Sequence, residues 1–147
     1  MKRILCCLIA SCIILLAGCS LTLPRIKTEF PIATGDAATV IDSTQTRLLI
    51  FNATSPLMFP VSGRLNVTLN GKGTAQLDIG EYIELLVPQG KYTVDLVHHD
   101  VGVFSSTHDV NLSFTTAYLE VQATILSNSA KIVSDLPKDF NEAYYRK

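Results

Sequence analysis

Three histidines, His98, His99 and His108, and the aspartates beside them, Asp100 and Asp109, are the residues of this 147-residue sequence best suited to chemistry. Strand parity puts His98 on the same face as Tyr92, Val94 and Leu96, and His108 on the face of Val110 and Leu112. A hairpin turning near Gly102 would set the two imidazoles opposite each other, with Cβ atoms about 5 Å apart. Two imidazoles and a carboxylate can ligate zinc or copper. The plainer reading is a pair of strand-end histidines beside a polar loop, and it is preferred. No metal or other cofactor is therefore expected, and a ligand- or metal-binding domain using His98 and His108 stands as the second reading.

Catalytic constellations are otherwise thin. No Gly-x-Ser-x-Gly elbow occurs. Glu81 and Glu84 are the nearest paired carboxylates, but on a strand they point to opposite faces, which does not suit glycoside hydrolysis. Gly71 and Gly73 could cradle a phosphate only if a helix followed, and none is expected there. The sequence is expected not to encode an enzyme. Tryptophan is absent, which weakens a sugar-stacking platform. A different signal comes from Pro56-Leu57-Met58-Phe59-Pro60, which sets three large apolar residues between prolines. It is expected either to fold over an open end of the domain or to bind a partner through Leu57, Met58 and Phe59.

All four cysteines, Cys6, Cys7, Cys12 and Cys19, lie near the start of the chain. Met1, Lys2 and Arg3 form a basic opening, residues 4–17 carry no charge, and Gly18 and Cys19 follow. These are the three parts of a secretory signal, and the run is shorter than the roughly 20 apolar residues of a spanning helix. Leu16-Ala17-Gly18-Cys19 resembles the lipobox of bacterial lipoproteins. The resemblance implies a diacylglyceryl thioether on Cys19, cleavage before it and acylation of the new amino terminus. Ser20 resembles the outer-membrane class, since an aspartate there retains enteric lipoproteins at the inner membrane. The expected location is the bacterial envelope, most simply the outer membrane facing the periplasm. Loss of Lys2 and Arg3 leaves ten basic against thirteen acidic residues, a balance of −3. A mildly acidic chain has no electrostatic footprint for nucleic acid. The expected partners are the membrane, through lipid on Cys19, and an envelope protein.

The elements that must position these residues divide the chain into four parts. Residues 1–18 are the cleaved signal, 19–45 the lipidated cysteine and a tether, 46–136 the folded domain and 137–147 a short helix or tail. Within the tether one short strand is expected near residues 39–41. Residues 46–53 form a continuous apolar run, suited to a strand covered on both faces. Residues 64–70, 82–87, 92–98, 106–114 and 118–126 alternate with period two, and 74–77 and 130–133 are shorter strands. Asn70-Gly71 and Pro88-Gln89-Gly90 supply hairpin turns. Asp135 is placed to cap a final helical turn, with Pro137 in its first turn and Phe140, Ala143 and Tyr144 on one face. The fold class is all-β, an antiparallel sandwich of about seven or eight short strands.

Gly80-Glu81-Tyr82 and Val87-Pro88-Gln89-Gly90-Lys91-Tyr92-Thr93, with Arg47, Phe51, Asn70-Gly71 and Tyr118, carry a second resemblance. The stretch from Thr46 to Pro137 is similar to small bacterial lipoprotein domains of unknown function akin to PEGA-type domains. It departs from them at Gln89 and Lys91, where those turns carry Glu and Ala. The resemblance implies an Ig-like or transthyretin-like sandwich and brings no catalytic residues with it.

Overall fold

The computed structural model describes residues 23–33, 42–57, 63–100 and 102–147. The expected signal peptide, Cys19, the short strand expected near residues 39–41, Met58 and Phe59 lie outside the described residues. Among those described, no helix is long and apolar enough to cross a membrane.

Two sheets form the body. One has the order β8-β7-β1-β4-β9 and the other β3-β2-β5-β6. Their strands are β1 (Gln45–Asn52), β2 (Leu65–Leu69), β3 (Lys72–Leu77), β4 (Glu81–Pro88), β5 (Gly90–His99), β6 (Val103–Leu112), β7 (Thr116–Ala123), β8 (Asn128–Val133) and β9 (Tyr145–Arg146). The expected alternation holds where it matters. Leu65, Val67 and Leu69 from β2, Ile83, Leu85 and Val87 from β4, and Val94 and Leu96 from β5 join one buried core. Asn70 and Gly71 both take positive φ, 51° and 73°, which makes the β2–β3 connection the tight turn their side chains suit.

The apolar run of β1 is buried on both faces. Leu48 and Ile50 enter the core between the sheets, while Leu49 and Phe51 form a second cluster with Phe140. That cluster is closed by α1 (Phe140–Ala143), which follows Asp139 with no side-chain cap. Asp135, the expected cap, instead accepts a hydrogen bond from Ser134 Oγ, and Pro137 stays outside the helix, its carbonyl accepting from the Phe140 N–H. Phe51 meets Phe140 and Tyr144 edge-on, with ring centroids 5.7 and 5.2 Å apart. Edge-to-face contact matches the ring quadrupoles and adds to simple burial.

The sandwich is not purely antiparallel. β7 pairs with β1 in parallel, Arg47 opposite Thr116, and β9 pairs in parallel with β4. The first pairing follows from counting: a chain that reverses at every connection sends its first and seventh strands the same way, and here they are neighbours. One end of the sandwich thus gathers the β1–β2, β3–β4, β5–β6 and β7–β8 connections; we call it the loop pole.

Residues 23–33 do not behave as a free tether. Asn66 and Gln76, on the outer face of the second sheet close to the loop pole, both donate to the Pro24 carbonyl. Farther along, the Glu29 N–H donates to Gly73 O, and the Gly73 N–H returns a bond to Glu29 Oε1, at 2.8 Å each. The chain then reaches β4, where Ala33 N–H donates to Glu84 O and Leu86 N–H to Pro31 O. With β9 on Glu81 and Tyr82, this closes most of the outer edge of β4, a row of amides and carbonyls otherwise open to pairing.

Candidate functional site

A buried polar cluster lies just beneath the loop pole and centres on His98. Its ring is fully buried, as parity required. Nδ1 lies 2.5 Å from Asn128 Oδ1, and the Asn128 amide nitrogen donates to the carbonyls of Leu96 and Phe104 at 3.2 Å each. Because the amide nitrogen is committed to two carbonyls, its oxygen must face the ring, so the imidazole carries a proton on Nδ1. On the other side Nε2 lies 3.4 Å from Asp100 Oδ2, and the ring stacks on Phe104 with centroids 4.9 Å apart. Asn128 reaches this position because the β7–β8 turn is locked. Thr124 N–H and Oγ1 both donate to Ser127 O, and Ser127 N–H donates back to Thr124 Oγ1.

An imidazole held between an amide oxygen and a carboxylate resembles the geometry that orients a general base. Here Nε2 faces the carboxylate instead of a nucleophile, and the ring is shut away from solvent. The cluster pins strands β5, β6 and β8 together at this pole.

The expected juxtaposition of His98 and His108 does not occur. His98 lies opposite Phe104, and His108 lies opposite Val94. Four strand positions separate the two, about 13 Å. His108 Nε2 instead meets Ser106 Oγ at 2.8 Å. Among the described residues no group of three or more His, Cys, Asp or Glu side chains could hold a metal ion. The carboxylates Glu81 and Glu84 have separate partners, Lys147 and Arg47. Gly73, considered for a phosphate loop, has its N–H engaged by Glu29.

No family model, curated protein or solved structure matches this chain.

At the loop pole, the β1–β2 connection is anchored at both ends by Asn52. Its amide nitrogen donates to Gly63 O at 2.6 Å and Leu77 O at 3.1 Å, while its oxygen accepts from Thr54 N–H and Oγ1. Thr54 Oγ1 accepts in turn from the Ala123 N–H. From this anchored base Leu57 projects with 91% of its surface exposed, so at this residue the connection does not fold back over the sandwich. Asn52 and Asn128 are the side chains that hold this pole, and neither stood out in the sequence. One sat inside an apolar run and the other beside a turn where asparagine is commonplace.

The opposite end carries an open groove of about 600 Å³ lined by Phe114, Thr116, Tyr118, Ile132 and Val133 among others. Among the described residues no carboxylate, histidine or lysine lines it.

Arg64 and Asp78 pair at the loop pole through both guanidinium arms, Nε to Oδ1 at 2.5 Å and Nη2 to Oδ2 at 3.0 Å. The hydrogen bond from Arg64, helped by its charge and that of Lys147, holds the Asp78 carboxyl below its ordinary range despite partial burial. A carboxyl depressed in the folded state adds stability above its unfolded pKa, and that contribution is lost as pH falls through the folded value. Asp78→Asn is therefore expected to lower stability at neutral pH by less than about 1 kcal/mol, the range for a solvent-exposed pair. Urea midpoints of variant and parent should converge once acid has protonated Asp78. A difference that persists in acid would count against the pair as its source.

Proposed function

We propose that this chain is a bacterial envelope lipoprotein, anchored through lipid on Cys19 in the outer membrane and facing the periplasm. Its sandwich, of the Ig-like or transthyretin-like kind and akin to PEGA-type domains, serves as a non-catalytic structural or protein-binding module. The observation that carries this reading is the sequence Leu16-Ala17-Gly18-Cys19 closing the uncharged run of residues 4–17. A cysteine-free body after Cys19 agrees with a thiol reserved for attachment. The exposed Leu57, beside Met58 and Phe59 in sequence, makes the β1–β2 connection the best-supported contact surface. A ligand site shared by His98 and His108 has no support from the strand register, which holds them four positions apart.

Metabolic labelling with a palmitate analogue tests the anchor. The parent chain is expected to take up label and float with membranes, while Cys19→Ser takes up none. Label on Cys19→Ser, or a mature protein beginning at Met1, would overturn the reading.

A further inference from the structure

The loop pole concentrates exposed apolar side chains on three separate connections. Leu57 lies in the first, Val103 opens β6 beside the second, and Ile125 and Leu126 form the tip of the third. Val103 and Leu126 are 58% and 79% exposed. Each belongs to a connection held firmly from below, by Asn52 and Thr54, by the His98 cluster, or by the Thr124–Ser127 turn. Side chains of this kind lose nothing by leaving water, so what covers them is the question.

The entry path of the chain answers it. Pro24 is fastened to Asn66 and Gln76, each one residue from the loop-pole end of its strand. From Cys19 to Pro24 there are only five residue steps, which span at most about 18 Å. The far end of the sandwich lies seven strand positions beyond Val97, the partner of Asn66, or roughly 23 Å. A lipid on Cys19 therefore brings the loop pole to the bilayer and leaves the far end out of reach. Lying flat on the second sheet is unfavourable, because its outer face presents Asp95 and Asp109 with their threonine partners. Apolar tips on a short leash suit an interface whose outer boundary accepts Leu, Ile and Val while the polar body stays in water.

We infer that the loop pole docks on the lipid bilayer, with Leu57, Val103, Ile125 and Leu126 entering the headgroup boundary. This rests on the lipid anchor proposed above and specifies which face of the sandwich meets the membrane. The lipid holds the molecule in place and the four side chains fix its orientation, so that the opposite end, with its groove beside Phe114, points away from the membrane.

The chain contains no tryptophan, so a single introduced one reports its own surroundings. Mature lipidated Leu126→Trp and Phe114→Trp, reconstituted separately into phosphatidylcholine vesicles, are compared with and without bromine on the acyl chains, and flotation is scored in parallel. Leu126→Trp is expected to emit further to the blue and to be quenched by brominated chains, while Phe114→Trp is unchanged. Ile125→Trp repeats the reading should the first variant fold poorly. Vesicles that float the protein without quenching Leu126→Trp or Ile125→Trp overturn the orientation and leave the anchor standing, as expected if these residues instead face a protein. Equal quenching at Phe114→Trp also overturns it. Protein that does not float removes the anchor, and the orientation with it.

Discussion

Asn128→Ala is expected to lower the free energy of unfolding by about 3 kcal/mol, the sum of several modest losses at one buried point. The substitution leaves the Leu96 and Phe104 carbonyls without their amide donor and the His98 Nδ1–H without its acceptor. Each stranded buried group costs about 1–3 kcal/mol, and partial relaxation or an entering water recovers some of it. Urea denaturation should show a lower midpoint with an unchanged slope. Asn128→Asp makes a sharper comparison, since it keeps an acceptor for His98 but turns a carboxylate oxygen toward two carbonyls. If Asn128→Ala cost less than about 0.5 kcal/mol, half of one ordinary hydrogen bond, the amide would not be what holds β8 over β5 and β6.

Phe51→Ala should be costlier still, about 3–5 kcal/mol, the range for truncating a buried phenylalanine to leave a cavity. Phe51 has no exposed surface and joins β1 to α1 through Phe140 and Tyr144. The loss should fall unevenly. Hydrogen exchange in residues 137–147 is expected to rise toward the rate of a frayed terminus, while Leu65, Val67 and Leu69 stay protected. Phe140→Ala in the same background should add less than it does alone, because the two rings share one contact. Full additivity would show that α1 docks independently of Phe51.

The same residues show how far the amino-acid sequence alone reaches. Alternation identified which side chains of β2, β4 and β5 face inward, because a period of two allows only one burial pattern per strand. The unbroken apolar run of β1 announced cover on both faces, which the core and the Phe140 cluster supply. Periodicity reports faces and is silent about neighbours, so the parallel pairing of β1 with β7 was not legible. Docking of residues 23–33 was hidden for a related reason. It depends on the carbonyls of Pro24 and Pro31 and the amides of Glu29 and Ala33, groups that every sequence possesses. The histidines mark the boundary most clearly. Parity placed His98 inside, but the β5–β6 register sets Phe104 opposite it and puts His108 opposite Val94.

The covered edge of β4 has a consequence for the order in which the chain can fold. As the chain is made from its amino terminus, β4 emerges long before Tyr145 and Arg146, which close Glu81 and Tyr82. Until then part of its backbone is a template for any extended strand nearby, including one from a second copy of this protein. The rate of synthesis and the supply of holding chaperones should therefore govern the yield of correctly folded molecules more than final stability does. A copy truncated before Tyr145 is expected to accumulate in aggregates even where most of its core can still form.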